Sequence, residues 1–508
     1  MRALKHQVFW PPFLVLLSSA VYSFFDPDAF LEAVSQLNTL LLEYFGWLFS
    51  WSMFFFLLLC VIIYFSPIAH VRIGGREATP ILNRWRWLSI TLCTTVATGI
   101  LFWGSAEPMY HLYQPPQNAG FEAATTEAAV FSVSTLLMHW TFTPYGVYAL
   151  ASLTFALAYY NLKQPFSLSA LLYPLLGNAA KGRMGDFIDA ICLYSLVAGM
   201  SASLGTGILM MAGGLDALAG IPQTPLLLGL VALTIVITFV LSAISGLMKG
   251  IRILSDWNFK LLVGFCIFIL VFGPTLFIFE FGAKAIADYV VHFVPRSLAP
   301  VGNDTNWANA WTVFYWAVWL AWTPISALFL GRLAIGYTVR EFLNTNLVFT
   351  SLFSLFWMMV FGSTAIHMDF VTESIDLYAV LQDGGPQNVM FAIFDYFPLA
   401  KWLGILFLVM SFLSFVTAAD SNTTAMGGIS STGISPENPE PSIWIKLAWG
   451  GTIGVVAWVM VTFAGIDGIR MASNLGGLPA LFLILAMSVG VIRLLLKPEP
   501  LLKDSIRQ

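Results

Sequence analysis

Residues 225–248 read PLLLGLVALTIVITFVLSAISGLM, without one charged side chain. A helix needs about 20 mostly apolar residues to cross a bilayer's hydrocarbon core, because each residue rises about 1.5 Å and each backbone group must bond inside its own segment. Runs of this kind recur along the whole chain. Hydrophobic residues make up 58% and charged residues 10% of the 508, against about 25% charged in soluble domains. Water is therefore not the main solvent for this chain. The pattern predicts an all-α polytopic membrane protein with twelve spans, near 11–25, 47–68, 88–112, 128–160, 188–213, 225–248, 257–281, 311–335, 344–366, 400–427, 443–466 and 476–496. Segments 283–294 and 374–397 are amphipathic and too polar to span, so they are expected at the interface or re-entrant.

Lys and Arg favour the cytoplasmic side. With both termini inside, eighteen of the 23 Lys and Arg residues fall there, among them Arg72, Arg76, Arg84 and Arg86. Lys284, Arg296, Lys401 and Arg470 fall outside, and Lys260 lies within a span. This asymmetry supports an even number of crossings in a bacterial inner membrane. The opening MRALKHQ and its apolar run could form a cleaved leader, but the chain after it stays in the membrane, so it is read as the first span.

Several function classes fall away. There is no phosphate-binding G-x-x-x-x-G-K-[ST] motif and no H-E-x-x-H pair, so energy for transport would come from an ion or substrate gradient. Cys60, Cys93, Cys192 and Cys266 lack metal-ligand spacing and are read as small core residues. The net charge of −4 gives no reason to expect a nucleic-acid partner. An embedded enzyme would cluster His, Asp or Glu within its spans, whereas the six His residues are dispersed. His139, beside Trp140, is expected to pack through hydrogen bonds rather than relay protons. Neither enzyme activity nor an organic cofactor is expected.

Two helices carry small and polar residues where lipid-facing helices carry Leu. TTVATGILFWGSAEP contains Thr95, Ala97, Thr98, Gly99 and Gly104. Such residues either let helices pack closely or mark an unwound stretch that binds a ligand near the bilayer midplane. FVTAADSNTTAMGG places Asp420 among hydroxyls. An intramembrane carboxylate is costly unless partnered, so Asp420 is a candidate proton site or helix-packing group.

Two further segments are aromatic. HWTFTPYGVY holds Trp140, Tyr145 and Tyr148; WTVFYWAVWLAWTP holds Trp311, Trp316, Trp319 and Trp322. At about 100° per residue, the last three indoles cover an arc of roughly 120° on one helix. Trp311, at the helix mouth, is expected to be an interfacial anchor. Trp319 and Trp322 lie deeper and suit an aromatic cage, because ring quadrupoles attract a quaternary ammonium that has no N–H to donate.

These residues resemble the betaine/carnitine/choline transporter family. The resemblance is carried by TGILFWGSAEPMYHL at 98–112, HWTFTPYGVY at 139–148, SASLGTG at 201–207, SGLMKGIRILSDWN at 245–258, TVFYWAVWLAWTP at 312–324, TVREF at 338–342 and FVTAADS at 415–421. It implies a LeuT-like fold of two inverted five-helix repeats: 1–87 peripheral, 88–281 first repeat, 282–310 connector, 311–496 second repeat and 497–508 tail. It also implies a homotrimer. By position, the cage becomes Trp140, Tyr145, Tyr148, Trp316, Trp319 and Trp322, with Thr95, Ala97, Thr98 and Gly99 receiving the other end of a small zwitterion. For sodium, the matching positions are the carbonyls of Cys93, Val96 and Ser414 and the hydroxyl of Thr417.

The sequence also departs from the family. The usual G-x-G-x-G stretch reads Thr95-Val96-Ala97-Thr98-Gly99, and Gly99 stands where choline carriers tend to have Asp. Val318 replaces one Trp of the usual YWAWW run, and Ala418 lacks a second sodium-site hydroxyl. Asn258 is neutral where the ion-independent carnitine exchanger has Arg. The basic loop is reduced to Arg332-Leu333-Ala334-Ile335-Gly336-Tyr337, and no osmotic activation is expected. The expected function is secondary transport of a glycine betaine or carnitine type of zwitterion, sodium-coupled, by alternating access. Proton coupling or exchange of a sulfonium or methylated amino acid is the alternative.

Overall fold

The computed structural model describes residues 4–95, 99–244, 248–298, 305–433 and 441–501. Among these the chain is helical, with two isolated β-bridges and no strands. Eight helices are long and apolar enough to cross a membrane, or ten when two bent pairs are each taken as one span.

The first two helices are α1 (His6–Phe25) and α2 (Pro27–Phe65). Asp26 separates them and caps α2 by accepting from Ala29 N, which satisfies one of that helix's orphan donors. α2 starts twenty residues before the expected span at 47 and has 39 residues, about 58 Å at 1.5 Å per residue. Lys5 N bonds Ser430 O at 2.8 Å, and Leu501 packs beside Ile63 and Ile68. Both ends of the described chain therefore lie at one end of the bundle. Arg72 and Arg340 are at this same end, bonding Gly336 O and Tyr64 O.

The next stretch is broken twice. α3 (Arg84–Thr95) and α4 (Gly99–Tyr113) are bent by 55° across the expected unwound stretch. The segment expected as one span over 128–160 is instead α5 (Thr126–Trp140) and α6 (Phe142–Ala156), split where Thr141 leaves helical geometry at φ −120°, ψ −119°. Pro144 sits in the first turn of α6, where its missing N–H costs no helical bond.

α7 (Arg183–Ala219) and α8 (Pro225–Ile244) follow. The segment expected as 257–281 stops earlier: α9 (Met248–Phe272) ends at Gly273–Pro274, and α10 (Thr275–Leu298) turns away by 112°. Pro274 cannot continue the helix of α9, so the amphipathic piece expected at 283–294 becomes a 24-residue helix lying against α5. α11 (Phe314–Arg332) carries the Trp block, and α12 (Thr350–Ile366) comes after it. The polar stretch 374–397 folds as two short helices, α13 (Leu377–Gly384) and α14 (Pro386–Asp395).

α15 (Ala400–Ile429) and α16 (Ile443–Leu496) complete the bundle. α16 contains both segments expected at 443–466 and 476–496. Its 467–475 stretch is helical rather than a loop, and the direction changes at Gly465, whose φ of 54° suits a residue without Cβ. α11 packs against α6, α7, α15 and α16, which places the Trp block at the centre.

Candidate functional site

At the 55° break, Thr95 Oγ1 donates back to Thr91 O at 2.8 Å, and α4 restarts at Gly99. Val96, Ala97 and Thr98 lie outside the described residues. Trp357 of α12 donates to Ile100 O at 3.1 Å, satisfying a carbonyl beside the break. Gly99 faces Trp140, and the contact has no room for a side chain: a Cβ there would fall 2.2 Å from Cη2 of the indole.

Trp140 ends α5, and the Thr141 break turns α6 so that Tyr145 and Tyr148 face the same way. Trp319 of α11 stands between them. Its ring centroid lies 5.5 Å from Trp140, 5.2 Å from Tyr145 and 5.0 Å from Tyr148, each pair edge-to-face. Such pairs contribute about 0.5–1.5 kcal/mol each beyond burial. The Trp319 indole is oriented by donating to His139 O at 3.2 Å.

The other indoles of the block go elsewhere. Trp316 is fully buried against the His139 ring, 5.8 Å away. Trp322 donates to Gly199 O at 3.1 Å and Ser203 Oγ at 2.8 Å on α7, and borders a ≈ 20 Å³ cavity with Phe415 and Ala418. Trp311 is no lipid-facing anchor. It is 5% exposed, with the Arg470 guanidinium 4.6 Å above it and His111 4.7 Å beside it.

A cavity of ≈ 40 Å³ lies where α4, α5, α7, α11 and α16 meet. Gly99, Trp103, Trp140, Tyr315 and Val318 line it on one side, with hydroxyls of Ser203, Thr206 and Ser473 among its other lining residues. This volume holds about one water molecule, so a trimethylammonium acid requires the walls to part. A larger apolar groove of ≈ 500 Å³ between α1 and α7 opens beside the exposed Phe187 and has none of these aromatic pairs.

At the expected sodium positions, Cys93 and Ser414 are buried. Asn258 donates to Ser414 Oγ at 2.6 Å, and Thr417 donates to Leu413 O at 2.7 Å. α3, which carries Cys93, packs against α9 and α15, which carry the others. Val96 lies outside the described residues. Asp420 is buried and accepts from Ser242 of α8 at 2.6 Å.

Sequence reasoning missed Glu107 and His111. Both are fully buried, and Glu107 Oε1 lies 3.1 Å from His111 Nε2 and 2.6 Å from His139 Nδ1. Its Oε2 accepts from Trp140 Nε1 at 3.0 Å. The rule that singles out Asp420 applies equally to this carboxylate, and the Glu-x-x-x-His spacing puts the first pair on one helix face.

A bundle of apolar helices, broken at its centre beside an aromatic wall, is the architecture of a membrane transport protein. The sequence matches the family described as BCCT, betaine/carnitine/choline family transporter, over residues 7–499, and the chain belongs to that family. The glycine betaine transporter OpuD of Bacillus subtilis (strain 168) is 30% identical over 99% of this chain and 97% of its own. An ectoine/hydroxyectoine transporter of Virgibacillus pantothenticus is 28% identical over 98% and 97%, respectively. The osmo-dependent choline transporter BetT2 of Acinetobacter baylyi (strain ATCC 33305 / BD413 / ADP1) is 26% identical over 96% of this chain and 71% of that protein.

Proposed function

We propose that this protein is a secondary active transporter of small quaternary-ammonium zwitterions of the glycine betaine or carnitine type. In this scheme two five-helix repeats, 88–281 and 311–496, alternate access to a central site, coupled to sodium. The carrier has twelve crossings, both termini in the cytoplasm, and works as a homotrimer in a bacterial inner membrane.

The observation that carries the proposal is the edge-to-face packing of Trp319 on Trp140, Tyr145 and Tyr148 beside the helix break. A quaternary ammonium cannot donate a hydrogen bond, so ring faces are the neutral groups best able to hold it. The carboxylate end then meets the 95–99 stretch. Trp316, against His139, and Trp322, on the α7 side, complete the proposed cage. A relative named for glycine betaine supports this ligand class, while those named for ectoine, a zwitterion without a quaternary ammonium, and choline, a quaternary ammonium without a carboxylate, each share one half of it.

The test is binding of glycine betaine to purified Trp319→Ala, with Trp402→Ala, at a 69% exposed position, as control. A desolvated cation–π contact contributes about 2 kcal/mol or more, and about 1.4 kcal/mol is tenfold in affinity. Loss of at least about tenfold for the first variant and none for the second is expected. Equal affinities would place the site elsewhere.

A second mechanism keeps the fold and changes the coupling. Ala418 removes a hydroxyl from the proposed sodium positions, and the second reading is proton coupling or exchange, with a sulfonium or methylated amino acid as cargo.

A further inference from the structure

Glu107, His111 and His139 form a buried cluster that the transport scheme above does not use. Glu107 Oε1 meets His139 Nδ1 at 2.6 Å and His111 Nε2 at 3.1 Å, while Oε2 takes the Trp140 indole N–H at 3.0 Å. On its far side, His139 Nε2 lies 3.0 Å from Thr312 Oγ1. The 2.6 Å separation is that of a hydrogen bond. A cation with bonds of about 2.0–2.1 Å in tetrahedral geometry would hold the two atoms more than about 3 Å apart.

An ionised Glu107 between two neutral imidazoles leaves one uncompensated negative charge inside hydrocarbon, which is expensive. One further proton cancels it, and the two histidines differ as hosts. Both ring nitrogens of His139 have an oxygen within bonding reach, whereas His111 Nδ1 is buried with no partner among the described residues. An imidazolium at His111 would bury a bare N–H, so the proton belongs on His139.

Charged groups on the surrounding elements have partners of their own. Arg470 pairs with Asp467 on α16 at 3.1 Å, and Arg296 with Asp288 on α10 at 2.6 Å. On the α12 side, Asp369 accepts from Tyr113 at 2.7 Å. Titratable neighbours among the described residues include Tyr110 on α4, against Trp311, Tyr289 on α10, 3.0 Å from Thr141, and Tyr315 on α11, whose ring stacks on His139 at 4.6 Å.

We propose that the Glu107–His139 pair is a proton-binding site one indole ring behind the substrate cavity, and that its protonation decides whether the carrier favours a zwitterion or a cation. This rests on Trp140 being a wall of the substrate site. With His139 protonated the cluster is neutral and does nothing for the uncompensated charge of choline. When His139 gives up its proton, the negative charge of Glu107 acts across a single ring and draws a quaternary ammonium that has no carboxylate. Choline binding therefore releases a proton, and choline affinity rises with pH. Glycine betaine carries its own carboxylate and responds little.

The experiment is calorimetric titration of the purified full-length protein with choline and with glycine betaine at fixed sodium, between about pH 5.5 and 8.5, the range in which a histidine charge ordinarily changes. The choline-to-betaine affinity ratio should rise by up to about tenfold per pH unit, the limit for one linked proton. Glu107→Gln, which removes the charge, should make the ratio flat. Thr312→Val removes the oxygen facing Nε2 of the imidazolium, so the midpoint of the rise should move. A flat ratio in the unmodified protein, or a slope that survives Glu107→Gln, overturns the proposal. If Glu107→Gln does not fold, an unmoved midpoint in Thr312→Val overturns it instead. Trp319→Ala separates the two levels. Unchanged affinity for both ligands in that variant sinks the aromatic site, whereas weakened affinity for both, with a flat ratio in the unmodified protein, sinks only the proton site.

Discussion

A methyl group on Gly99 would fall 2.2 Å from Cη2 and 2.5 Å from Cζ3 of Trp140, so the restarted helix α4 and the aromatic wall meet with no spare volume. Gly99→Ala must push the indole away from Trp319 or bend α4. Overpacking of this kind costs about 1–3 kcal/mol, and glycine betaine affinity should fall by about tenfold. At Gly104 the closest atom to an added Cβ is 3.3 Å away, so Gly104→Ala should bind nearly normally. Calorimetry on both variants makes the comparison. An Asp at position 99, where choline carriers tend to have one, would displace Trp140 before it could supply charge.

Sodium dependence should reside in the contact of α3 with α15. Sodium is a hard cation that takes several oxygen ligands, and Ala418 leaves the proposed site one hydroxyl short. Uptake into proteoliposomes should therefore rise with external sodium without early saturation. Thr417→Ala should lower it further, and Ala418→Ser should sharpen the dependence. Equal uptake in sodium and potassium at fixed pH would transfer the coupling to a proton gradient or to exchange.

Asp420 accepts from Ser242 across the α8–α15 contact, the behaviour of a group that ties two helices together. Removing one partner of a buried bond costs about 1–3 kcal/mol. Ser242→Ala and Asp420→Asn should each lower Tm, and the double variant should lose less than the sum, because the two share one interaction. Abolition of proton-driven uptake in Asp420→Asn, with Tm unchanged, would make Asp420 the proton carrier.

Orientation is open to labelling. Lys5 and Leu501 sit at the same end as Arg72 and Arg340, and basic residues prefer the cytoplasm. A cysteine placed at Arg76, on the exposed loop between α2 and α3, should resist an impermeant reagent in intact cells and react once the membrane is opened. Labelling from outside would reverse the assignment.

What the sequence by itself determined is local. Long apolar runs decide the solvent, because backbone groups in hydrocarbon must bond within their own helix. The irregular stretch at 95–99 and the polar stretch 374–397 were legible for the same reason, since glycine, proline and hydroxyl residues act on their own turn, whereas the split at Thr141 was not, because 128–160 reads as one continuous apolar span. Early helix ends, such as Phe272, had a signal in Gly273–Pro274 that the apolar run of 257–281 masked. Tertiary structure decided which faces meet. Central helices of a membrane bundle are apolar all round, so no stripe reports their orientation. That is why three indoles on one arc part company: Trp319 goes to the tyrosines of α6, Trp316 to His139 and Trp322 to α7. Glu107 and His139 stand 32 positions apart, and their spacing says nothing of a shared bond. Only the packing of α4 on α5 brings that carboxylate, the imidazole and the Trp140 N–H together, where burial makes each depend on the others.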